Sequence, residues 1–417
     1  MKYVAALTLG CKVNEYDTSA MLNIFTNRGY KIKEFDEKAD IYLINTCTVT
    51  NLGDKKSRQM LRRAKAMNPK ALIIAAGCYS QAFPDEVAAV DGVNIVIGNK
   101  DRHKIVDIVE SFDYEKGDVL TSVSNLRYEK VFEELELEST NARTRAFLKI
   151  QEGCNEFCTY CIIPYSRGRN RSRKFENIIE EAKKLSLSGY KELVLTGIHI
   201  ASYGADNGEK LIDIIKEIHK IDGIERIRLS SVEPKVMTDE FINGIKYLPK
   251  VCDHFHLSLQ SGCDKILKSM NRKYTKDEFR DSVYKIRSIM PYAAITTDII
   301  VGFPGETEED FIETYEFAKE INFADIHVFP YSAKKGTKSF SWPDHLTKEV
   351  KQERVKKLIS LRNECRDAFK EKFIGNHMDV LFETEDTGYT TNYIKIKMLG
   401  SKSNEITKIK LAQEVLV

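Results

Sequence analysis

The sequence predicts an α/β protein in three parts: an N-terminal parallel-sheet domain, a central partial (β/α)6 barrel, and a small C-terminal all-β module. Three observations carry that prediction. Apolar, β-branched-rich runs alternate with helical periodicity early in the chain, which is the pattern of a parallel sheet. A second, longer alternation runs unbroken from Phe147 to about residue 330. After His377 the helical period gives way to strand-like alternation.

Taken in order, strands are expected at 3–9, 41–45, 72–76 and 94–97, with helices at 18–27, 57–67 and 104–111. From 115 to 144 periodicity is lost and acid collects at Glu129, Glu133, Glu134, Glu136 and Glu138, as in a linker or edge hairpin. Barrel strands are expected at 147–151, 193–196, 226–230, 254–259, 294–301 and 325–329, with a capping box at Thr275 and Glu278. A long charged helix follows at 347–373, then strands at 378–382 and 393–397 with a turn at Gly388. The expected boundaries are therefore 1–114, 115–139, 140–374 and 375–417.

Composition removes several function classes. The chain has 417 residues, more than one core usually serves. Its 64 basic and 62 acidic side chains leave +2, so an anionic partner must be met by a local patch. There is no apolar run of about 18 residues, which argues against a membrane span. The stretch before Gly10-Cys11 has one charge and an apolar run at the bottom of the signal range, so an export signal is not expected. Nine cysteines are few and odd in number, so a reducing, cytoplasmic setting is expected in which thiols serve metals or chemistry.

Cys154, Cys158 and Cys161 form C-x3-C-x2-C directly after the first barrel strand. Three thiolates this close can hold three irons of a [4Fe-4S] cube and leave the fourth open to chelate S-adenosylmethionine. Zinc or free thiols are the alternatives, and no fourth Cys or His stands at a suitable spacing for zinc. Cys11, Cys47 and Cys78 are scattered, yet each follows a predicted parallel strand at intervals of about one βαβ unit. The ligand crevice of a parallel sheet lies beyond those strand ends, so a second three-thiol site is expected there. Three cysteines buried as small apolar residues are the competing reading.

These segments resemble the radical S-adenosylmethionine methylthiotransferases over the full chain. The match includes Gln151-Glu152-Gly153-Cys154 through Cys161-Ile162-Ile163-Pro164-Tyr165, Leu257-Ser258-Leu259-Gln260-Ser261-Gly262, and the run from Asp298 to Thr307. Thr8-Leu9-Gly10-Cys11-Lys12-Val13-Asn14 and Asn45-Thr46-Cys47-Thr48-Val49-Thr50 are similar to the branch that modifies threonylcarbamoyladenosine beside the anticodon. The isopentenyladenosine branch typically carries Gly-Cys-Gln-Met-Asn at the first of these.

The resemblance implies two [4Fe-4S] clusters and two S-adenosylmethionines per turnover. Cys11, Cys47 and Cys78 would hold an auxiliary cluster carrying sulfur, and Cys154, Cys158 and Cys161 the radical-generating one. A deoxyadenosyl radical would remove hydrogen from adenine C2, and a methylthio group would replace it. The C-terminal part would be a TRAM-like RNA-binding module. The partner would be the anticodon stem-loop of tRNA, with neither membrane nor DNA involved; sulfur source and electron donor stay unnamed. Other targets within the chemistry are isopentenyladenosine or a ribosomal-protein aspartate, and a rival class is a non-catalytic, metal-containing RNA-binding protein.

Strand-end positions nominate Thr196, Gly197, Ser231 and Gln260 for S-adenosylmethionine, with Tyr160 against its adenine. For RNA, the run from Arg167 to Lys174 puts Arg167, Arg169, Arg171 and Arg173 beside the cysteine loop, and the tail adds Tyr393 and Lys395. A second basic cluster, Lys55, Lys56, Arg58, Arg62, Arg63 and Lys65, lies on the helix after Cys47. His254 and His256 put two imidazoles on one strand face, which could suit a metal, but a packed or hydrogen-bonded pair is expected.

Overall fold

Strand register explains how distant cysteines can share an edge. In the computed structural model, which describes residues 2–113, 115–135 and 144–417, the first unit holds six parallel strands. They are β1 (Tyr3–Thr8), β2 (Lys31–Lys33), β3 (Ile41–Thr46), β4 (Leu72–Gly77), β5 (Ile95–Ile97) and β6 (Leu120–Ser122), ordered β2-β1-β3-β4-β5-β6. The helices between them are α1 (Lys12–Asn27), α2 (Asn51–Met67), the short α3 (Cys78–Ala82) and α4 (Pro84–Ala88), and α5 (Ile105–Glu110).

Side chains alternate across this sheet, so both faces are covered. Tyr42, Ile44, Ile73 and Ala75 pack with Met60, Leu61 and Ala64 of α2. Leu43, Leu72 and Ile74 pack with Met21 and Phe25 of α1 and with Ile105 and Val109 of α5. Each fully buried aliphatic or aromatic residue contributes about 1.5–3 kcal/mol. β6 lies inside the stretch expected as linker: Leu120-Thr121-Ser122 carries one large apolar residue, where the equally short β5 carries three. Glu129, Glu133 and Glu134 of the same stretch are ion-paired to Lys100, Arg102 and Arg173. Glu136 and Glu138 lie outside the described residues.

The compact units cut across the expected boundaries. One contains residues 1–140, 149–173 and 332–340; the other contains 141–148, 174–331 and 341–417. Thus the C-x3-C-x2-C loop is grouped with the N-terminal sheet, and the C-terminal module with the barrel.

The barrel strands are β7 (Arg145–Glu152), β9 (Glu192–Gly197), β10 (Arg226–Leu229), β11 (His254–His256), β12 (Ala294–Val301) and β13 (Asp325–Pro330). After β7 the chain forms α6 (Ile163–Arg167) and the two-residue β8 (Arg171–Ser172), which pairs antiparallel with the end of β7. The intervening helices are α7 (Phe175–Leu187), α8 (Leu211–His219), α9 (Asp239–Ile245), α10 (Asp264–Ser269), α11 (Lys276–Ile289) and α12 (Glu308–Ile321). β7, β9 and β10 are neighbours, as are β11, β12 and β13, and isolated parallel bridges such as Val232 to Leu257 connect the two groups. Among the described residues β13 does not pair with β7, which leaves the barrel partial.

The capping box at Thr275 and Glu278 opens α11, and a second, Thr307 with Asp310, opens α12. α13 (Lys348–Glu371) begins at the Thr347 cap. The tail is a four-stranded antiparallel sheet of β14 (His377–Phe382), β15 (Thr387–Thr390), β16 (Lys395–Lys397) and β17 (Ile406–Lys410), ordered β16-β15-β14-β17. Gly388 is a strand residue of β15, not the expected turn. A Cβ there would stand 2.7 Å from Val380 Cγ1 and 2.8 Å from the Leu381 carbonyl, so close packing requires the glycine. No helix among the described residues is long and apolar enough to cross a membrane.

The module is tied to the starts of the barrel strands. Buried Glu192 accepts Arg228 through both oxygens at 2.7 and 3.2 Å and pairs with Arg145 at 3.0 Å. The three arginines of this floor reach back to the tail: Arg226 to the Tyr389 and Asp379 carbonyls, Arg228 to that of Thr391, and Arg145 to the Tyr393 hydroxyl.

Candidate active site

Cys11, Cys47 and Cys78 stand just past three adjacent strands. β1, β3 and β4 are contiguous, and their register aligns Thr8 with Asn45 and Asn45 with Ala76. Each cysteine therefore leaves the sheet within two or three residues of that line. The backbone there turns through glycine: Gly10 and Gly77 have φ +106° and +92°, which L side chains rarely adopt. A Cβ on Gly77 would come within 2.2 Å of Asn45 Oδ1 and 2.7 Å of the Thr46 carbonyl, and one on Gly10 would stand 3.1 Å from Cys47 Sγ.

Cys78 is buried, Cys47 half-buried and Cys11 exposed. Burial, reinforced by Cys78, pushes the Cys47 thiol up to about 12. Burial of its sulfur also raises the Cys11 thiol against the pull of Arg167, although the residue keeps an open surface. The thiols influence one another's protonation, as a converging set must. Three sulfur donors with solvent access on one side, two of them set on glycine turns, fit an iron–sulfur cluster with one open iron.

The second set is held by local backbone. Gly153, at φ +72°, lets the chain pass so close that a Cβ would lie 1.9 Å from the Arg169 carbonyl. Cys154 N–H donates to the Gly168 carbonyl at 3.0 Å, and Cys161 N–H to that of Cys158 at 2.9 Å. Gln151 Nε2 reaches the Glu152 and Gly153 carbonyls and Asn170 Oδ1, fixing the strand-to-loop transition. Cys158 is buried and its two partners half-buried. This donor set, too, fits three irons of a cube. All six cysteines belong to the same compact unit.

Sequence reasoning missed what lies between the two sets. Asp17 and Glu152, 1% and 2% exposed, meet Arg102, Lys149 and Arg167 in one buried network. Arg102 and Lys149 each approach Asp17 at 2.5 Å, and Arg167 Nη1 lies 2.7 Å from Glu152. Burial alone would raise both carboxyls, but the three cations outweigh it and hold them below the usual carboxylate range. Asn14 donates to the Leu9 and Thr46 carbonyls, stitching α1 to the strand ends. Part of the signal was available: Asn14 and Glu152 are polar residues within motifs already singled out, whereas Asp17 lies three residues past the first of them.

Several predicted residues are placed differently. Arg167, Arg171 and Arg173 are at most 3% exposed and turned inward, so they are not the expected phosphate ligands. Arg171 donates to the Arg167 and Arg169 carbonyls, and Arg173 pairs with Glu134 at 2.6 Å. Only Arg169 of the four faces solvent. Tyr393 is no open stacking platform: its ring stacks on Tyr389 at 4.9 Å, lies 4.8 Å from His254 and carries Arg228 at 4.6 Å. Lys395 is half-exposed on β16. On α2, Lys55, Lys56 and Arg62 face solvent, whereas Arg58 bonds Tyr79 and Arg63 pairs with Asp36.

Thr196 and Gly197 end β9, Ser231 follows β10, and Gln260 follows β11 in a left-handed conformation bridged to Ile299. Tyr160 is half-buried within the cysteine loop. On the barrel strands, half-buried Asp298 lies 3.3 Å from His256 Nε2 and 3.1 Å from the solvent-exposed His327 Nδ1. His254 and His256 are thus packed and hydrogen-bonded.

Residues 148–318 match the Radical SAM superfamily, and residues 3–98 match the uncharacterized protein family UPF0004. The threonylcarbamoyladenosine tRNA methylthiotransferase MtaB of Bacillus subtilis is 44% identical over 99% of this chain and 94% of its own. That of Aquifex aeolicus is 43% identical over 96% and 97%. The chain belongs to the radical SAM methylthiotransferase family. A tRNA-2-methylthio-N(6)-dimethylallyladenosine synthase of Thermoanaerobacter pseudethanolicus is 38% identical over 90% of this chain and 81% of its own. Among solved structures, the radical S-adenosylmethionine methyltransferase TsrM of Kitasatospora setae matches at TM-score 0.59 and 12% identity, over 79% of this chain and 73% of that one, a likeness of fold. Membership implies a [4Fe-4S] cluster and S-adenosylmethionine, and the enzyme is a transferase of sulfur-containing groups.

Proposed function

We propose that this protein installs a methylthio group at C2 of threonylcarbamoyladenosine next to the anticodon of tRNA, using two [4Fe-4S] clusters. The observation that carries this reading is the pairing of two three-thiol sets in one unit of a chain so similar, end to end, to threonylcarbamoyladenosine methylthiotransferases. Cys154, Cys158 and Cys161 would hold the cluster that binds S-adenosylmethionine, and Cys11, Cys47 and Cys78 the sulfur-bearing one. When bound, these groups supply the one-electron chemistry that an inert aromatic C–H bond requires.

The chain's own part is positioning. Gly10, Gly77 and Gly153 open the turns on which the thiols stand, and the buried pairs around Asp17 and Glu152 hold those turns in place. Thr196, Gly197, Ser231 and Gln260 are the proposed S-adenosylmethionine contacts of the barrel. For tRNA we propose Lys55, Lys56 and Arg62 on α2, Arg169 on the loop, and Lys395 on a TRAM-like module, all within a cytoplasmic enzyme. Exposed cations and flat RNA surfaces meet through phosphate contacts, which position without specifying sequence.

Nucleoside mass spectrometry of tRNA from cells with and without this chain tests the substrate. Loss of methylthio-threonylcarbamoyladenosine is expected; loss of methylthio-dimethylallyladenosine in its place would reassign the target. Anaerobically reconstituted protein should hold about eight irons, two clusters' worth, and one cluster alone would remove the sulfur-carrier role of the sheet set.

A further inference from the structure

Arg167 is six residues beyond Cys161, on α6, yet its side chain ends at a cysteine of the other set. Its Nε donates to Cys78 Sγ at 3.0 Å. Nη2 donates to Asn14 Oδ1 at 2.5 Å, and Nη1 to Glu152 and Asp17 at 2.7 and 3.2 Å. Every nitrogen of the guanidinium is used, and the residue is fully buried. A second donor, Asn99 Nδ2, lies 3.7 Å from the same sulfur and 2.8 Å from the Ser166 carbonyl of α6.

The charges explain why an arginine stands there. Asp17, Glu152 and Glu133 are opposed by Arg102, Lys149 and Arg167, three against three, so the network is balanced without the sulfur. The N–H aimed at Cys78 is then a directed donor from a fixed cation. Hydrogen bonds to cluster sulfurs and nearby positive charge favour the reduced, more negative form of an iron–sulfur centre. Cys11 and Cys47 have no side-chain cation donating to their sulfurs among the described contacts, so Cys78 is distinguished from its two partners.

We propose that Arg167 is a positioning residue that fixes Cys78 and raises the reduction potential of the cluster held by Cys11, Cys47 and Cys78, joining it to the helix that follows the radical loop. This rests on the reading that those three thiols hold a cluster. No bond is made or broken by Arg167; it acts through Cys78.

The test uses the full chain carrying Cys154→Ala, Cys158→Ala and Cys161→Ala, reconstituted anaerobically so that only the auxiliary site can bind iron. If that protein holds no cluster, the underlying reading fails, independently of Arg167. With about four irons bound, Arg167→Lys and Arg167→Met are compared by redox titration and by electron paramagnetic resonance of the reduced state. Arg167→Lys keeps the cation for Asp17 and Glu152 but withdraws the N–H from sulfur. We expect its reduced-to-oxidised ratio at fixed potential to fall about tenfold, or 59 mV for a one-electron couple, with a larger fall and changed spectrum for Arg167→Met.

Iron lost from either variant while its thermal transition is retained also supports the proposal, since Cys78 is then no longer held. Unchanged potential and spectrum in both variants would overturn it. So would iron loss accompanied by collapse of the thermal transition in both, which marks a purely structural residue.

Discussion

The loop set and the sheet set of cysteines perform the same ligation by opposite means. Cys154, Cys158 and Cys161 are brought together by a few local hydrogen bonds and one glycine, so their spacing is their geometry. Cys11, Cys47 and Cys78 meet only because β1, β3 and β4 are neighbours in register. A site made of contiguous residues tolerates changes elsewhere in the fold; a site made of strand ends inherits every disturbance of the sheet.

The largest test of that contrast is a pair of glycine substitutions. Gly77→Ala and Gly153→Ala each force a left-handed backbone and a backbone clash, costing about 3 kcal/mol or more. Iron counting after reconstitution should show Gly77→Ala losing the sheet cluster together with a lowered denaturation midpoint. Gly153→Ala should lose the loop cluster with a smaller change in midpoint, because the loop can yield locally and relieve the strain without unfolding the sheet. Equal global destabilisation by both would erase the distinction.

Next come two buried carboxylates. Glu152→Gln leaves Arg167 and Lys149 under-compensated, and Glu192→Gln does the same to Arg228 and Arg145, each at about 3–5 kcal/mol in chemical denaturation. The first should also weaken iron retention, because its network touches Cys78. The second, in the barrel floor beneath the C-terminal module, should leave iron content unchanged.

A smaller effect is expected at Thr50, whose hydroxyl caps α2 by accepting Gly53 N–H at 3.1 Å, three residues after Cys47. Thr50→Ala should cost about 1 kcal/mol and slow reconstitution of the sheet cluster only. α6, behind the loop set, has no side-chain cap to lose.

The smallest concerns the barrel unit, which holds neither set. The hydrogen bond that His327 Nδ1 donates to the Asp298 carboxylate raises the titration of His327. Burial pushes the Asp298 carboxyl up, yet His256 and His327 bring it below its ordinary range. Stability from His327 is therefore complete below about pH 6.5 and is lost as pH rises through its raised value; that from Asp298 is lost only in strong acid. His327→Gln should lower Tm slightly at pH 6 and not at pH 9, since more than half of the imidazole is solvent-exposed.

Legibility in the sequence followed locality. Most strands of both series, the Thr275 capping box and the long helix after Thr347 show in short-range periodicity and cap residues. β2 and β6 do not, because Lys31-Ile32-Lys33 and Leu120-Thr121-Ser122 each carry a single large apolar residue. Gly388 reads as a turn in a one-dimensional pattern, whereas its strand role depends on Val380 from the next strand.

The arginine run shows the limit most clearly. From Arg167 to Lys174 the sequence displays cationic residues beside a cysteine loop, and a solvated basic patch is the ordinary inference. Side-chain direction there is set by partners distant in sequence: Asp17 and Glu152 take Arg167 inward, and Glu134 takes Arg173. Likewise Tyr393, an aromatic suited to RNA, is held by Arg145, Arg228 and His254.

By itself, the sequence determined the α/β alternation, the six thiols and the class of chemistry, because hydrophobic period and ligand spacing are properties of short segments. Only the tertiary structure decided which arginines meet solvent and which meet a carboxylate, and that the sheet cysteines converge beside Arg167. Buried charge must find its counter-charge, and that partner is chosen by the fold, not by the neighbouring residue.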